Sequence, residues 1–168
     1  KHYFSPLEAG VYGAVSVLGR IIYFASFSVG TVMFPVIAER KEQARGHRKV
    51  VLFGLLGVLA LSLGLTLVYV LFPKPVVHAL YGAAYDGAAA YLGLFGLFIT
   101  FFSLSYLLTN VCLASGRTGV WKFTVTAALI QTLLIVLFHD TIADIVKINA
   151  CVSAGLLAGL LLYYRHAK

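Results

Sequence analysis

Five long apolar stretches, and the way charges fall between them, constrain this chain more than any other feature. They run over about 10–38, 50–72, 88–114, 123–138 and 148–164. A helix needs about 20 apolar residues to cross the hydrocarbon core of a bilayer. The pattern predicts an all-α, polytopic transmembrane helix bundle of about five helices. Nine basic residues, Arg40, Lys41, Arg45, Arg48, Lys49, Arg117, Lys122, Arg165 and Lys168, fall in the connections after the first, third and fifth stretches. Lys1, Lys74 and Lys147 belong to the opposite face, and Arg20 lies inside the first stretch. Basic residues concentrate on the cytoplasmic side of membrane proteins. The chain is therefore expected to be a multi-pass protein of the cytoplasmic (inner) membrane that starts outside, crosses five times and ends inside.

An outside N-terminal end with a basic flank, and no cleavable signal before the first span, predicts that further helices precede Lys1. On this view residues 1–168 form a C-terminal transmembrane unit whose upstream lobe is missing; the alternative is a small five-helix protein with an unusual N-out start.

Composition agrees. Hydrophobic residues make up 61% of the chain and charged residues 11%, against about 25% charged in an ordinary soluble domain. A net charge of +7 invites a nucleic-acid reading, but the cations sit where helices leave the membrane. Orientation and anionic headgroups account for them, and no nucleic-acid-binding pattern is present. Cys112 and Cys151 both fall within predicted spans, where they act as small apolar residues. Their spacing fits neither a zinc site nor a disulfide framework.

Punctuation residues set the finer expectations. Ser5-Pro6 opens the first helix, and Pro35 is expected to kink its far end. Pro73 and Pro75 stop the second helix, 76–81 reads as one or two turns at the outer interface, and Asp86 is placed to cap the third helix. Gly54, Gly57 and Gly64, and the pair Gly155 and Gly159, suggest close approach between helices. The segment 139–144 reads as a brief outer loop.

Arg20 is the sharpest candidate for function. It lies four residues from residue 24, the midpoint of the first stretch, or about 6 Å from the midplane at helical rise. An Arg near the bilayer centre costs about 2.5–3.5 kcal/mol on insertion scales. Such a residue belongs in a polar cavity or in a pair, and its planar fork suits phosphate or carboxylate. Snorkelling to the outer headgroups, or an internal pair, is the structural alternative. Lys147, at the outer end of the last stretch, snorkels or guards a cavity mouth. Asn110, Gln131 and Asn149 serve interhelical hydrogen bonds or touch substrate. Tyr12, Tyr23, Tyr91 and Tyr106 pack, or line an aqueous path. No histidine pair has metal-like spacing on a helix, and no catalytic triad, phosphate loop or nucleotide motif is present. No enzyme activity, metal or cofactor is expected.

Several local patterns occur in order along nearly the whole chain. They are Ala9-Gly10-Val11-Tyr12, Met33-Phe34-Pro35, Leu71-Phe72-Pro73, Leu80-Tyr81-Gly82 followed by Tyr85, Tyr91-Leu92, and Asn110 with Leu113-Ala114-Ser115-Gly116-Arg117. Together they resemble the C-terminal region of polysaccharide-biosynthesis oligosaccharide flippases. These belong to the multidrug/oligosaccharidyl-lipid/polysaccharide exporter superfamily. The resemblance implies that the five helices correspond to helices eight to twelve of a two-lobe, twelve-helix exporter. It also implies a lipid-linked oligosaccharide, a polyprenyl-pyrophosphate glycan, as substrate, moved between leaflets by alternating access. On that reading Arg20 meets the pyrophosphate or an acidic sugar, with Lys147, Asn110 and Gln131 as further substrate-binding candidates. Arg20 maps to no defined motif of the family.

Alternatives remain open at this point. Within the superfamily they are a peptidoglycan-precursor flippase and a cation-coupled drug exporter. The second is weakened because no carboxylate lies deep in a span. Outside it they are a non-transport membrane scaffold and an integral-membrane sugar transferase, which would need a nucleotide- or lipid-phosphate site.

Overall fold

The computed structural model describes residues 5–43 and 48–166. Lys1, Arg45 and Lys168 of the charge pattern lie outside those residues. The described residues form six α-helices and two short 3-10 turns, with no strand. The helices are α1 (Pro6–Glu42), α2 (Arg48–Leu71), α3 (Pro73–Tyr81), α4 (Ala89–Ala114), α5 (Trp121–Leu137) and α6 (Ile142–His166). All but α3 are long and apolar enough to cross a membrane, α4 and α5 together with the 3-10 turns that lead into them. The chain is an all-α multi-pass bundle, as its hydropathy predicts.

Local chemistry sets the boundaries. Ser5 accepts from the Glu8 backbone N–H while the Glu8 carboxylate accepts from the Ser5 N–H, a reciprocal cap with Pro6 in the first turn. α1 continues through Pro35 to Glu42. The helix is therefore longer than a 30 Å hydrocarbon core is thick, since 37 residues span about 55 Å. α4 ends on Gly116, whose φ of 73° is left-handed. There the Arg117 N–H donates to the Cys112 carbonyl and the Gly116 N–H to the Leu113 carbonyl, both at 2.8 Å, a Schellman closure.

α4 is the axis. It packs against α1, α2 and α6, and the apolar window of the span it belongs to is 56% buried inside the bundle, against 11% for that of α5. The core runs along it in three groups. Leu92, Phe95 and Ile99 meet Leu18 and Ile22; Leu104, Leu107 and Val111 meet Met33, Ile37 and Val58; Leu108 and Cys112 meet Val120 and Leu160. α5 contributes no buried residue and leans chiefly on α6.

Four expectations need correction. α6 begins at Ile142, so the second half of the expected outer loop 139–144 is its first turn. The Thr141 hydroxyl accepts from the Asp144 N–H at 3.2 Å and donates to the Asp144 carboxylate at 2.6 Å, which stabilises that start. Asp86 does not cap α4. It lies in the 3-10 turn Ala83–Ala88, and α4 starts at Ala89 with Ala88 at its N-cap and no side-chain cap. Of the α2 glycines only Gly54 is closely approached, by the Met33 side chain, while Gly57 and Gly64 face open space. Gly155 is open as well, and Gly159 meets the Phe123 ring, so the paired glycines do not bring two backbones together.

Candidate functional site

The antiparallel path gathers Arg40, Lys41, Arg48, Lys49, Arg117, Lys122 and Arg165 at one end of the bundle. Side-chain contacts knit this end. The Arg117 Nη1 donates to the Tyr164 carbonyl at 2.9 Å and the guanidinium stacks over the Tyr164 ring, 5.4 Å from its centroid. This satisfies an otherwise unpaired carbonyl in the last turn of α6 with a cation, where the helix dipole favours one. Lys74 and Lys147 lie at the other end, with α3 and the 3-10 turn Ala83–Ala88.

Arg20 sits on the outward stripe of α1. Gly13, Val17, Arg20, Phe24, Ser28, Thr31 and Pro35 are all exposed, at successive i+3 and i+4 steps. Such spacing places them on one helix face. Ser28 and Thr31 donate to the Phe24 and Ser28 carbonyls of their own helix. Arg20 has no ion pair or hydrogen bond among the described residues. Residue 24 is also the midpoint of α1, so Arg20 lies about 6 Å along the axis from the helix centre.

The other candidates are engaged. Lys147 lies in the second turn of α6 rather than at its start, 3.6 Å from Asp144 and largely exposed. The Gln131 Nε2 donates to Asn149 Oδ1 at 2.6 Å across α5 and α6. Asn110 donates to the Tyr106 carbonyl one turn back, at 2.9 Å. These four residues are spread over α1, α4, α5 and α6, and no contact joins Arg20 to any of the other three.

The tyrosines pack. Tyr23 and Phe27 of α1 meet Tyr106 of α4 with ring centroids 5.5–5.8 Å apart, and Tyr23 also meets Phe102. Tyr12 stands edge-on to Phe95 at 6.2 Å, and Tyr91 packs against the core beside it. Sequence reasoning missed a buried polar seam. Tyr69 Oη donates to the Leu18 carbonyl at 2.9 Å, linking α2 to α1. Thr100 donates to the Gly96 carbonyl at 2.9 Å, which leaves Thr66 to donate to Thr100 Oγ1 across 3.2 Å. The signal was present in Thr66 and Tyr69, spaced i, i+3 within an apolar helix.

Among the described residues no three His, Cys, Asp or Glu side chains cluster as metal ligands would. No protein family, curated protein or solved structure was found to match the chain.

Proposed function

We propose that this chain forms the C-terminal helical unit of a two-lobe exporter of the cytoplasmic membrane. Its cargo on this reading is a lipid-linked oligosaccharide, moved from the cytoplasmic to the outer leaflet by alternating access for polysaccharide biosynthesis. One observation carries the reading. Arg20 is exposed, unpartnered among the described residues and near the middle of a span, whereas the other three candidates are held by partners within the bundle. An unpaired cation at that depth calls for water, a carboxylate or an anionic ligand. In a two-lobe exporter the outward stripe of α1 lines the cavity between lobes. There the guanidinium presents paired N–H donors to pyrophosphate oxygens or an acidic sugar. Ser28 and Thr31 extend the polar character of the same stripe.

The reading assigns transport and no bond-making chemistry to this unit. It takes the bilayer, the N-terminal lobe of the same protein and the lipid-linked glycan as partners. The test is leaflet exchange. Full-length protein in proteoliposomes is expected to move a fluorescent polyprenyl-pyrophosphate glycan between leaflets faster than protein-free vesicles do. Equal rates at confirmed incorporation would remove the exporter reading.

A further inference from the structure

α5 and α6 enclose a groove of about 620 Å³ that opens to the outside of the bundle. Its walls are apolar and include Ala127, Ile130, Leu134 and Cys151. Gly155 also lines it, and nothing beyond its own stretch of helix lies within 4 Å of where a Cβ would stand there. Lys122 closes one end of the groove. It is exposed, has no partner among the described residues, and lies at the basic end of the bundle beside exposed Trp121.

We infer that this groove holds one acyl chain of an anionic diacyl phospholipid whose phosphate rests on Lys122. Length supports this. The thirteen residues from Lys122 to Leu134 advance about 18 Å along the helix. One leaflet contributes about 15 Å of hydrocarbon, so the groove is as long as the acyl layer of one leaflet. Charge selects the headgroup. A lone ammonium at the mouth of an apolar groove, next in sequence to an exposed indole of the kind that favours headgroup depth, complements phosphate. An added apolar helix would cover the groove and leave Lys122 without a counter-charge. A second copy of this chain in the same orientation would bring a second basic end against the first. The phospholipid meets both requirements, and the inference stands independently of the proposed transport cargo.

The experiment uses the full-length protein in vesicles of mixed phosphatidylglycerol and phosphatidylcholine. Each lipid in turn carries a photoreactive group midway along one acyl chain. Adducts are mapped by peptide mass spectrometry. The expected result is that adducts concentrate on residues 127–134 and 151–156. Gly155→Leu, or Cys151→Leu should the first variant fail to fold, is expected to remove most of them. The preference for phosphatidylglycerol over phosphatidylcholine is expected to fall about fivefold in Lys122→Gln, the discrimination that one cation gives near an anionic surface. Adducts spread equally over the exposed faces of α1 and α2, or equal labelling by both lipids, would overturn the proposal. Displacement of the phosphatidylglycerol probe by sparing amounts of polyprenyl phosphate would overturn it too, assigning the groove to that lipid. Absence of adducts, with Cys151 protected from a membrane-permeant maleimide, would also overturn it, because a helix then fills the groove.

Discussion

Gln131 on α5 donates its side-chain amide to Asn149 on α6 across 2.6 Å, and Asn149 is buried while Gln131 is half-exposed. In hydrocarbon such a pair holds two helices by more than packing, because separating them leaves polar groups without water. It joins the helix with no buried residue to one that packs on the bundle axis.

Asn149→Leu is expected to lower the stability of the bundle. The Gln131–Asn149 coupling in a double-mutant cycle with Gln131→Leu is expected near 0.6 kcal/mol and no more than about 1.7 kcal/mol. Unfolding in mixed micelles measures it. Lost transport at unchanged stability would instead assign the pair to substrate.

Arg20→Ala is expected to reduce glycan transport by about tenfold or more, taking the loss of a charged contact as about 1.5–3 kcal/mol, with the protein still at its normal level in the membrane. Arg20→Lys keeps the charge, loses the fork and should retain part of the rate. Normal transport by Arg20→Ala would exclude a cavity role for this residue.

Two glycine substitutions should separate rigid from yielding contacts. A Cβ at Gly19 would run into the ring of buried Phe95 and against Ile99. Gly19→Ala is therefore expected to cost about 1–2 kcal/mol net, overpacking exceeding the gain in helix propensity. At Gly54 the obstacle is the flexible end of Met33, so Gly54→Ala should be near neutral, about 1 kcal/mol of helix propensity offsetting the displacement. Thermal unfolding of the two variants side by side checks the ranking.

Orientation is testable in intact cells. In a background of Cys112→Ala and Cys151→Ala, a cysteine replacing Gly46, outside the described residues, should react with an impermeant maleimide only after the cytoplasmic side is opened. A cysteine replacing exposed Ala84 should react from outside. Reversed labelling would overturn the charge-based topology.

Hydropathy located four of the five spans to within four residues at either end, because the bilayer requirement is written in consecutive apolar residues. It misplaced the start of α6 for the same reason. Asp144 and Lys147 look like loop residues by hydropathy, yet Thr141 caps the turn and the two charges pair within it. Glycine spacing misled in α2, where Gly57 and Gly64 meet nothing, since spacing reports a shared face and not what lies opposite it. The unusual depth of Arg20 was legible along the chain. Its exposure was not, because which stripe of α1 turns outward depends on where α2 and α4 pack.

The central place of α4 bears on biogenesis. Until α4 is made, the surfaces that Leu18, Ile22, Met33 and Val58 present to it lack the helix that receives them. The arrival of α4 supplies that helix, and α6 then docks on its remaining side. Assembly of this bundle thus waits on α4, and a chain interrupted before it would leave these surfaces of α1 and α2 open to other partners in the membrane.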